Sequence, residues 1–101
     1  MDSLSRYLKL NGINEIKYDA EGKPFTGIVL DTDGSTVLRY RNGLLDGDVY
    51  ENEKLIEVVP AVKAALHAEY WREGKLHRDG DFPAVTDNGS SEIWHDGSRI
   101  I

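Results

Sequence analysis

The second half of the chain contains two stretches that match one another at a single offset of about 23 residues. Each stretch runs through Pro-Ala-Val, then Glu, then Trp, and ends at Gly. The matched positions are Pro60 and Pro83, Ala61 and Ala84, Val62 and Val85, Glu69 and Glu92, Trp71 and Trp94, and Gly74 and Gly97. A period this short is typical of a supersecondary unit that cannot bury its apolar face alone, so the sequence predicts units that stack side by side.

A looser copy of the same unit occupies the first half. Tyr40-Arg41-Asn42-Gly43 parallels Trp71-Arg72-Glu73-Gly74, and Tyr18 precedes Tyr40 by nearly the same offset. Tyr40 and Trp71 are separated by roughly eight residues more than that offset. One unit therefore carries an insertion, which the sequence places within Asn52–Val59.

Glycine marks the turns between short β-rich segments. The turn sequences are Asp19-Ala20-Glu21-Gly22, Asp33-Gly34, Arg41-Asn42-Gly43, Asp87-Asn88-Gly89 and Asp96-Gly97. Gly, and to a lesser degree Asn and Asp, tolerate the positive φ of tight hairpin turns. The β-rich segments, several of which alternate apolar and polar residues, are Thr26–Asp31, Thr36–Tyr40, Asp48–Glu51, Leu55–Val59 and Ser91–His95. The pattern predicts a mainly β fold, an antiparallel sheet of repeated β-hairpins of about 22–23 residues each.

Two segments favour helix locally. Ser3–Leu10 carries apolar residues at helical spacing, and Asn11-Gly12 can end a helix there. Ala61–Ala68 has good helix propensity, but the repeat sets it against Val85–Ser91, which has the pattern of a strand and turn. The sequence leaves both structures open for Ala61–Ala68 and favours the strand. We predict a single domain over residues 1–101, with a short N-terminal helical segment over 1–12 and repeats over 13–101.

Two motifs resemble a known repeat family. The first runs from Trp71 to Gly80 as WREGKLHRDG and continues at Pro83-Ala84-Val85, which resembles the W-x-x-G-K-x-H-R-x-D-G-P-A repeat of MORN-like bacterial, phage and viral proteins. The second, Tyr40–Tyr50, is similar to the ordinary MORN pattern Y-x-x-G-x-x-x-G-x-x-Y. Asp81-Phe82 is inserted before Pro83 and departs from the family pattern at that turn.

The resemblance implies a ladder of hairpins that forms one extended, twisted antiparallel sheet. It also implies an adhesive role, since such repeats make protein contacts and sometimes lipid contacts, and variants occur among predicted antitoxin and immunity proteins. The family supplies no catalytic residues to carry over to this chain.

Composition narrows the class of partner. The formal net charge is −6 and cysteine is absent, so nucleic acid and anionic membranes would repel the chain, and disulfides and thiolate metal sites are excluded. The sequence has no apolar run near the roughly 20 residues of a membrane span, and its first residues lack the pattern of a secretory signal. We expect a cytoplasmic protein with a protein partner that presents a basic surface, no direct nucleic acid contact and no membrane contact.

Sequence patterns that suggest chemistry are weak. His77-Arg78-Asp79 invites a catalytic interpretation, but a structural role in the turn is favoured because no Ser or Cys is placed as an activated nucleophile. The three histidines lack metal-ligand spacing, and Asp31–Ser35 resembles a calcium loop only at its start. We therefore predict no catalytic residues, no metal and no cofactor.

The best-defined surface feature is acidic. Asp46–Glu53 carries four acids and no base in eight residues, which is either a solvated edge that prevents strand aggregation or a face that docks on a cationic partner. Under the docking interpretation, acids and amphipathic tyrosines make the contact. The predicted partner-binding residues are Asp31, Asp33, Tyr40, Asp46, Asp48, Tyr50, Glu51, Glu53 and Tyr70.

These features lead to one functional prediction and two rivals. We predict a small acidic protein-binding inhibitor that neutralises a basic, nucleic-acid-acting enzyme or complex, either as an immunity protein or antitoxin or as a phage anti-defence protein. The first rival is a structural or scaffolding repeat module that self-associates, which leaves homo-oligomers open. The second, weaker rival is a small hydrolase that uses His77 and a carboxylate.

Overall fold

The structure is a computed structural model, and it describes residues 3–7 and 16–101. Thirteen short strands lie within these ranges: β1 (Gly27–Leu30), β2 (Val37–Arg41), β3 (Leu44–Leu45), β4 (Asp48–Glu51), β5 (Lys54–Val58), β6 (Val62–Ala64), β7 (His67–Glu69), β8 (Trp71–Arg72), β9 (Lys75–Leu76), β10 (Val85–Asp87), β11 (Ser90–Glu92), β12 (Trp94–His95) and β13 (Ser98–Arg99). No helix long and apolar enough to cross a membrane occurs in these two ranges.

The strands pair in antiparallel hairpins. A seven-stranded sheet has the order β1-β2-β6-β7-β10-β11, and β3 pairs with β2 outside this path. Three further sheets have two strands each, β4-β5, β8-β9 and β12-β13. The predicted mainly β, antiparallel hairpin fold is confirmed. The hairpins divide among one central sheet and three small ones.

The sequence repeat is reproduced in the backbone hydrogen bonds. In each of three successive units, the carbonyl at the equivalent repeat position accepts the N–H of the residue seven positions further along the chain. The donor–acceptor distances are 3.2, 3.0 and 2.8 Å. The donor and acceptor pairs are Asp46 and Arg39, His77 and Tyr70, and Ile100 and Ile93. Asp46 and His77 are as far apart in sequence as Tyr40 and Trp71, and His77 and Ile100 are as far apart as Trp71 and Trp94. The sequence repeat is therefore also a structural unit.

The hairpin turns have the backbone that their sequences predict. Asn42 and Gly43 have φ of 52° and 82°, and Asp96 and Gly97 have 49° and 82°. Positive φ at both central residues is the type I′ geometry, whose twist matches that of the flanking strands. The Gly74 N–H donates to the Leu45 carbonyl (3.0 Å). Each such turn thus contacts the unit before it and fixes the stacking.

The core lies under one face of the central sheet. Six residues on neighbouring strands stand directly opposite one another and form a single row across that face: Val29, Leu38, Val62, Glu69, Val85 and Glu92. Opposite residues point to the same side of a sheet. Trp71 and Trp94 complete the core at 1% and 7% exposure. Tyr18, the aromatic residue at the corresponding position of the first repeat, is instead 56% exposed.

The two local helix predictions have different outcomes. Ala61–Ala68 forms strand β6, a turn and the start of β7, so the favoured strand interpretation is confirmed. The N-terminal helical segment predicted over 1–12 is not seen in residues 3–7, and its remaining residues, 1–2 and 8–12, lie outside the described ranges. The hydroxyl of Ser3 accepts the N–H of Ser5 (3.0 Å) and that of Ser5 accepts the N–H of Tyr7 (3.3 Å). Such local bonds compete with helix formation.

Acid is expected to destabilise the fold through carboxylates that are held ionised. Burial raises the pKa of Glu92, but hydrogen bonds from Ser3, the Leu4 N–H and Trp94 outweigh it, and the net pKa is lowered. Hydrogen bonds from Thr36 and Ser35 lower the pKa of Asp33 to about 2. A lowered pKa adds stability above the group's ordinary value and loses it as pH falls through the folded value.

The free energy of unfolding should therefore be independent of pH near neutral pH and should decrease steadily as pH drops below about 4.5. Urea unfolding at a series of pH values measures this slope. Asp33→Asn should make the slope shallower, because the variant has one fewer depressed carboxylate to protonate. A stability that is constant from pH 6 to pH 2 would show that these hydrogen bonds do not form in solution.

Candidate functional site: an inserted hairpin

A hairpin that interrupts the repeat forms the most distinct surface feature of the described residues. Strands β4 and β5, Asp48–Val58, pair only with each other and include the residues that the sequence identified as an insertion. At its base the Gly47 N–H donates to the Trp71 carbonyl (3.1 Å), and the Val59 N–H donates to the Gly47 carbonyl (3.0 Å). These two bonds anchor the hairpin, which we call the arm.

The arm contains an irregular register. Tyr50 stands opposite Leu55 and Val49 stands opposite Glu57, so Ile56 has no opposite residue. An extra residue of this kind bends and twists a strand and re-aims its side chain. Asn52 and Glu53 form the turn with φ of 52° and 65°. Positive φ is unusual at Glu, which has neither the small size of Gly nor the local hydrogen bonding of Asn.

Apolar side chains on the arm are open to solvent. Tyr50, Leu55 and Ile56 are 44%, 41% and 56% exposed. Exposed acids flank them at Glu51, Glu53 and Glu57, with Lys54 as the one base in the arm. An apolar centre with a charged rim is the arrangement found at protein–protein interfaces.

The acids at the base of the arm are placed differently. The Asp46 side chain is 1% exposed and pairs with Arg41 (2.6 Å), while the Asp48 side chain is 2% exposed and pairs with Arg72. Asp46 also accepts the backbone N–H groups of Glu73 (3.0 Å) and Asp48 (2.9 Å). These two buried carboxylates join the arm to the neighbouring repeat.

Arg41 connects the base to the tip. Its guanidinium lies 4.6 Å from the centre of the Tyr50 ring, within the range of a cation–π contact. Burial lowers the pKa of Arg41, but the hydrogen bonds and charges of Asp46 and Tyr50 outweigh it, and the net pKa is raised. Arg41 therefore stays charged and orients the exposed tyrosine.

The other predicted partner-binding residues lie away from the arm. Asp31 accepts the Tyr7 hydroxyl, and Asp33 accepts the Thr36 hydroxyl (2.6 Å) inside its own turn. The remaining two are Tyr40, half-buried with its ring 6.0 Å from that of Phe25, and Tyr70, half-buried with the Arg78 guanidinium 3.9 Å from its ring centre. Of the predicted set, the structure thus places Asp48, Tyr50, Glu51 and Glu53 in the arm, and of these four side chains that of Asp48 is buried at its base.

His77 has a structural environment. Its Nδ1 accepts the Asp96 N–H (3.0 Å) and its Nε2 contacts an Asp79 oxygen (2.8 Å). Hydrogen bonds from Arg72 and then from His77 hold the pKa of the Asp79 carboxyl far below its usual range. His77 therefore holds the turn of the next hairpin through a backbone bond. Within residues 3–7 and 16–101, no group of three or more His, Asp or Glu side chains could hold a metal ion.

Comparisons with protein-family models, with curated proteins and with solved structures found no match to this chain. The arm residues that sequence reasoning missed are Leu55, Ile56 and Glu57. The signal that could have identified them was the insertion itself, because residues added to a repeat need not follow the core pattern of the repeat.

Proposed function

We propose that the protein is a small protein-binding inhibitor that docks its arm on a basic surface of a nucleic-acid-acting enzyme or complex. The observation that carries this proposal is the arm. Tyr50, Leu55 and Ile56 are each exposed on this one hairpin, Tyr50 stands opposite Leu55, and the free rim of the hairpin is acidic. An exposed group of apolar side chains rimmed by charge favours a protein contact over a solvated loop.

Charge supports the choice of a basic partner. The chain carries a net charge of −6, and the arm concentrates Glu51, Glu53 and Glu57 at the protein surface. Complementary charge speeds association and makes it sensitive to salt. Nucleases and other nucleic-acid-binding enzymes present cationic surfaces to phosphate, so an acidic arm can occupy such a surface in place of the nucleic acid.

Removing the exposed apolar side chains of the arm is expected to weaken partner binding while leaving the fold intact. In the double variant Leu55→Ser/Ile56→Ser, affinity for the partner should fall at least about tenfold, because central apolar contacts dominate interface energies. Both side chains are exposed, so the free energy of unfolding should change by less than about 1 kcal/mol. Calorimetric titration with a partner protein captured from the native host measures the first effect, and urea unfolding measures the second.

Leu30→Ser supplies the matched control for that variant. Leu30 is 64% exposed on β1, a strand that does not pair with the arm, and its replacement should leave affinity unchanged. Equal affinity for wild type and the arm double variant would exclude the arm as the binding surface.

A second candidate, self-association, is favoured by strand β1. This strand is at one end of the seven-stranded sheet, and Ile28 and Leu30 on it are 57% and 64% exposed. Exposed edge strands with apolar side chains pair readily with other chains. Sedimentation equilibrium separates the candidates: a monomer at millimolar concentration supports the inhibitor, and an oligomer that Leu30→Lys dissociates supports the scaffold.

A further inference from the structure

Two buried glutamates bind residues 3–7 of the chain in the same way. Glu69 and Glu92 are 0% and 2% exposed, occupy equivalent repeat positions, and lie in one row across the sheet with Val85 between them. Residues 3–7, which we call the strap, cross over this row. Because unpaired buried carboxylates are strongly unfavourable, the arrangement requires donors at both positions.

Each carboxylate uses its two oxygens identically. In the first position Glu69 Oε1 accepts the Trp71 indole N–H (2.9 Å) and the Ser5 hydroxyl (2.7 Å), and Oε2 accepts the Arg6 N–H (2.7 Å). In the second, Glu92 Oε1 accepts the Trp94 indole N–H (2.9 Å) and the Ser3 hydroxyl (2.6 Å), and Oε2 accepts the Leu4 N–H (2.7 Å). The two positions therefore have the same donor types at nearly the same distances.

A basic side chain completes each position. The His67 Nε2 lies 2.7 Å from Glu69 Oε2, and the Arg99 guanidinium lies 3.6 Å from Glu92 Oε2. Each Glu-x-Trp unit is therefore a preorganised acceptor, because the indole and the basic group hold the carboxylate in place and leave sites for one hydroxyl and one N–H. The repeat places two such acceptors side by side.

The strap provides the matching donors at alternate residues. Each Ser donates its hydroxyl, the next residue donates its backbone N–H, and the Ser oxygen also accepts the N–H two residues further on. Leu4 and Tyr7 pack against the core. The groups that are recognised are therefore a Ser-x-Ser-x sequence with an apolar residue after the first Ser.

We propose that Glu69 and Glu92 form a peptide-binding site for a Ser-x-Ser-x segment of a protein partner, and that the strap is its internal occupant. The bound contacts are hydrogen bonds from hydroxyls and backbone N–H groups, packing of Leu4 and Tyr7, and an ion pair between Arg6 and Asp87. A partner segment can supply all of these groups. The strap is linked to the site within one chain, so it competes at a high effective concentration. A partner segment binds when it displaces the strap. This site lies on the central sheet and is separate from the arm.

The test uses a fluorescein-labelled peptide with the sequence of residues 1–7, MDSLSRY, and the full-length chain carrying Ser3→Ala/Ser5→Ala. The variant weakens the internal competitor and leaves both glutamates in place. Fluorescence anisotropy should show saturable binding that is at least tenfold tighter than binding to the wild-type chain. Ser3→Ala alone, which leaves the Glu69 position occupied by Ser5, should give an intermediate affinity and serves if the double variant does not fold.

Matched controls separate recognition from simple adhesion. Adding Glu92→Gln to the double variant should weaken peptide binding at least tenfold, because an amide has one acceptor oxygen where the carboxylate has two. A peptide with Ala at both Ser positions should bind at least tenfold more weakly. A doubly phosphorylated peptide should not bind, because its charge opposes the buried carboxylates.

Three results would overturn the proposal. The first is the absence of saturable binding to either strap variant at millimolar peptide. The second is binding that Glu92→Gln leaves unchanged. The third is a wild-type dimer that dissociates on addition of the peptide, because the occupant of the site would then be the strap of a second copy. A strap variant that also carries Leu55→Ser/Ile56→Ser should bind the peptide as tightly as the strap variant alone. Failure of the peptide-binding proposal is therefore distinguishable from failure of the proposed role of the arm in partner binding.

Discussion

Replacing Glu69 by alanine is expected to destabilise the fold by about 3–5 kcal/mol, because it leaves more than one buried hydrogen-bond donor unsatisfied at a cost of about 1–3 kcal/mol each. The Glu69 carboxylate is fully buried and accepts four donors, which come from Ser5, Arg6, His67 and Trp71. Its loss leaves the Trp71 indole N–H and the His67 Nε2 without their partner in the core, while His67 Nδ1 keeps its contact with Asp87. Urea unfolding followed by tryptophan fluorescence measures the change.

Glu21→Ala is the matched control, since Glu21 is exposed in a turn and carries the same charge. It should change the free energy of unfolding by less than about 0.5 kcal/mol. Glu69→Gln should lie between the two variants, because it keeps one acceptor oxygen. A Glu69→Ala chain as stable as Glu21→Ala would mean that the carboxylate does not organise the core.

Gly47→Ala is expected to destabilise the fold by about 3 kcal/mol, at the upper end of the range for forced overpacking. A Cβ at Gly47 would lie 1.9 Å from the Val59 carbonyl oxygen and 2.9 Å from the Ala61 nitrogen. Both are backbone atoms, so no side-chain rotation can relieve the clash. Because Gly47 also holds the base of the arm through two hydrogen bonds, the variant should move the arm and weaken partner binding together with stability.

Gly34→Ala separates this steric effect from the general effect of replacing glycine. Gly34 has φ of 75° and nothing within 4 Å of a built Cβ, so its replacement should reduce stability by only about 1–2 kcal/mol through backbone strain. Equal losses in the two variants would show that close packing at Gly47 is not the cause. Thermal unfolding of both variants under the same conditions makes the comparison.

The repeat made most of the fold predictable from sequence. Asn42-Gly43 and Asp96-Gly97 indicate type I′ turns by residue type alone. The short period of the repeat predicted that the units stack, and the difference between its two offsets located the insertion. The repeat also favoured strand over helix for Ala61–Ala68. In that segment, local propensity and repeat register disagreed, and the tertiary pairing of β6 with β7 decided the outcome.

The strap could not be derived in the same way. Ser3–Leu10 has helical spacing of apolar residues, and nothing near it in sequence indicates that Ser3 and Ser5 find acceptors 89 and 64 residues away. The equivalence of Glu69 and Glu92 was visible as part of the repeat. Their role depends on the sheet, which places the two residues in one row on the face that the strap covers.

The acidic segment shows a second limit of sequence reasoning. Asp46 and Glu51 both belong to it, yet Asp46 is buried against Arg41 and Glu51 is exposed on the arm. Charge alone does not distinguish a carboxylate that joins two repeats from one that faces solvent. The positions of Arg41 and Arg72 make the distinction, and they become neighbours of the acids only through the stacking of hairpins.

The most direct test of the proposed function compares what the wild-type chain and a charge-reversed arm capture in the native host. Tagged wild type and Glu51→Lys/Glu53→Lys/Glu57→Lys would be used at physiological salt, with captured proteins identified by mass spectrometry. We predict that wild type captures a basic, nucleic-acid-acting protein, that the reversed arm does not, and that raised salt releases it. Capture of the same proteins by both chains, or of no protein by the wild type, would contradict the account.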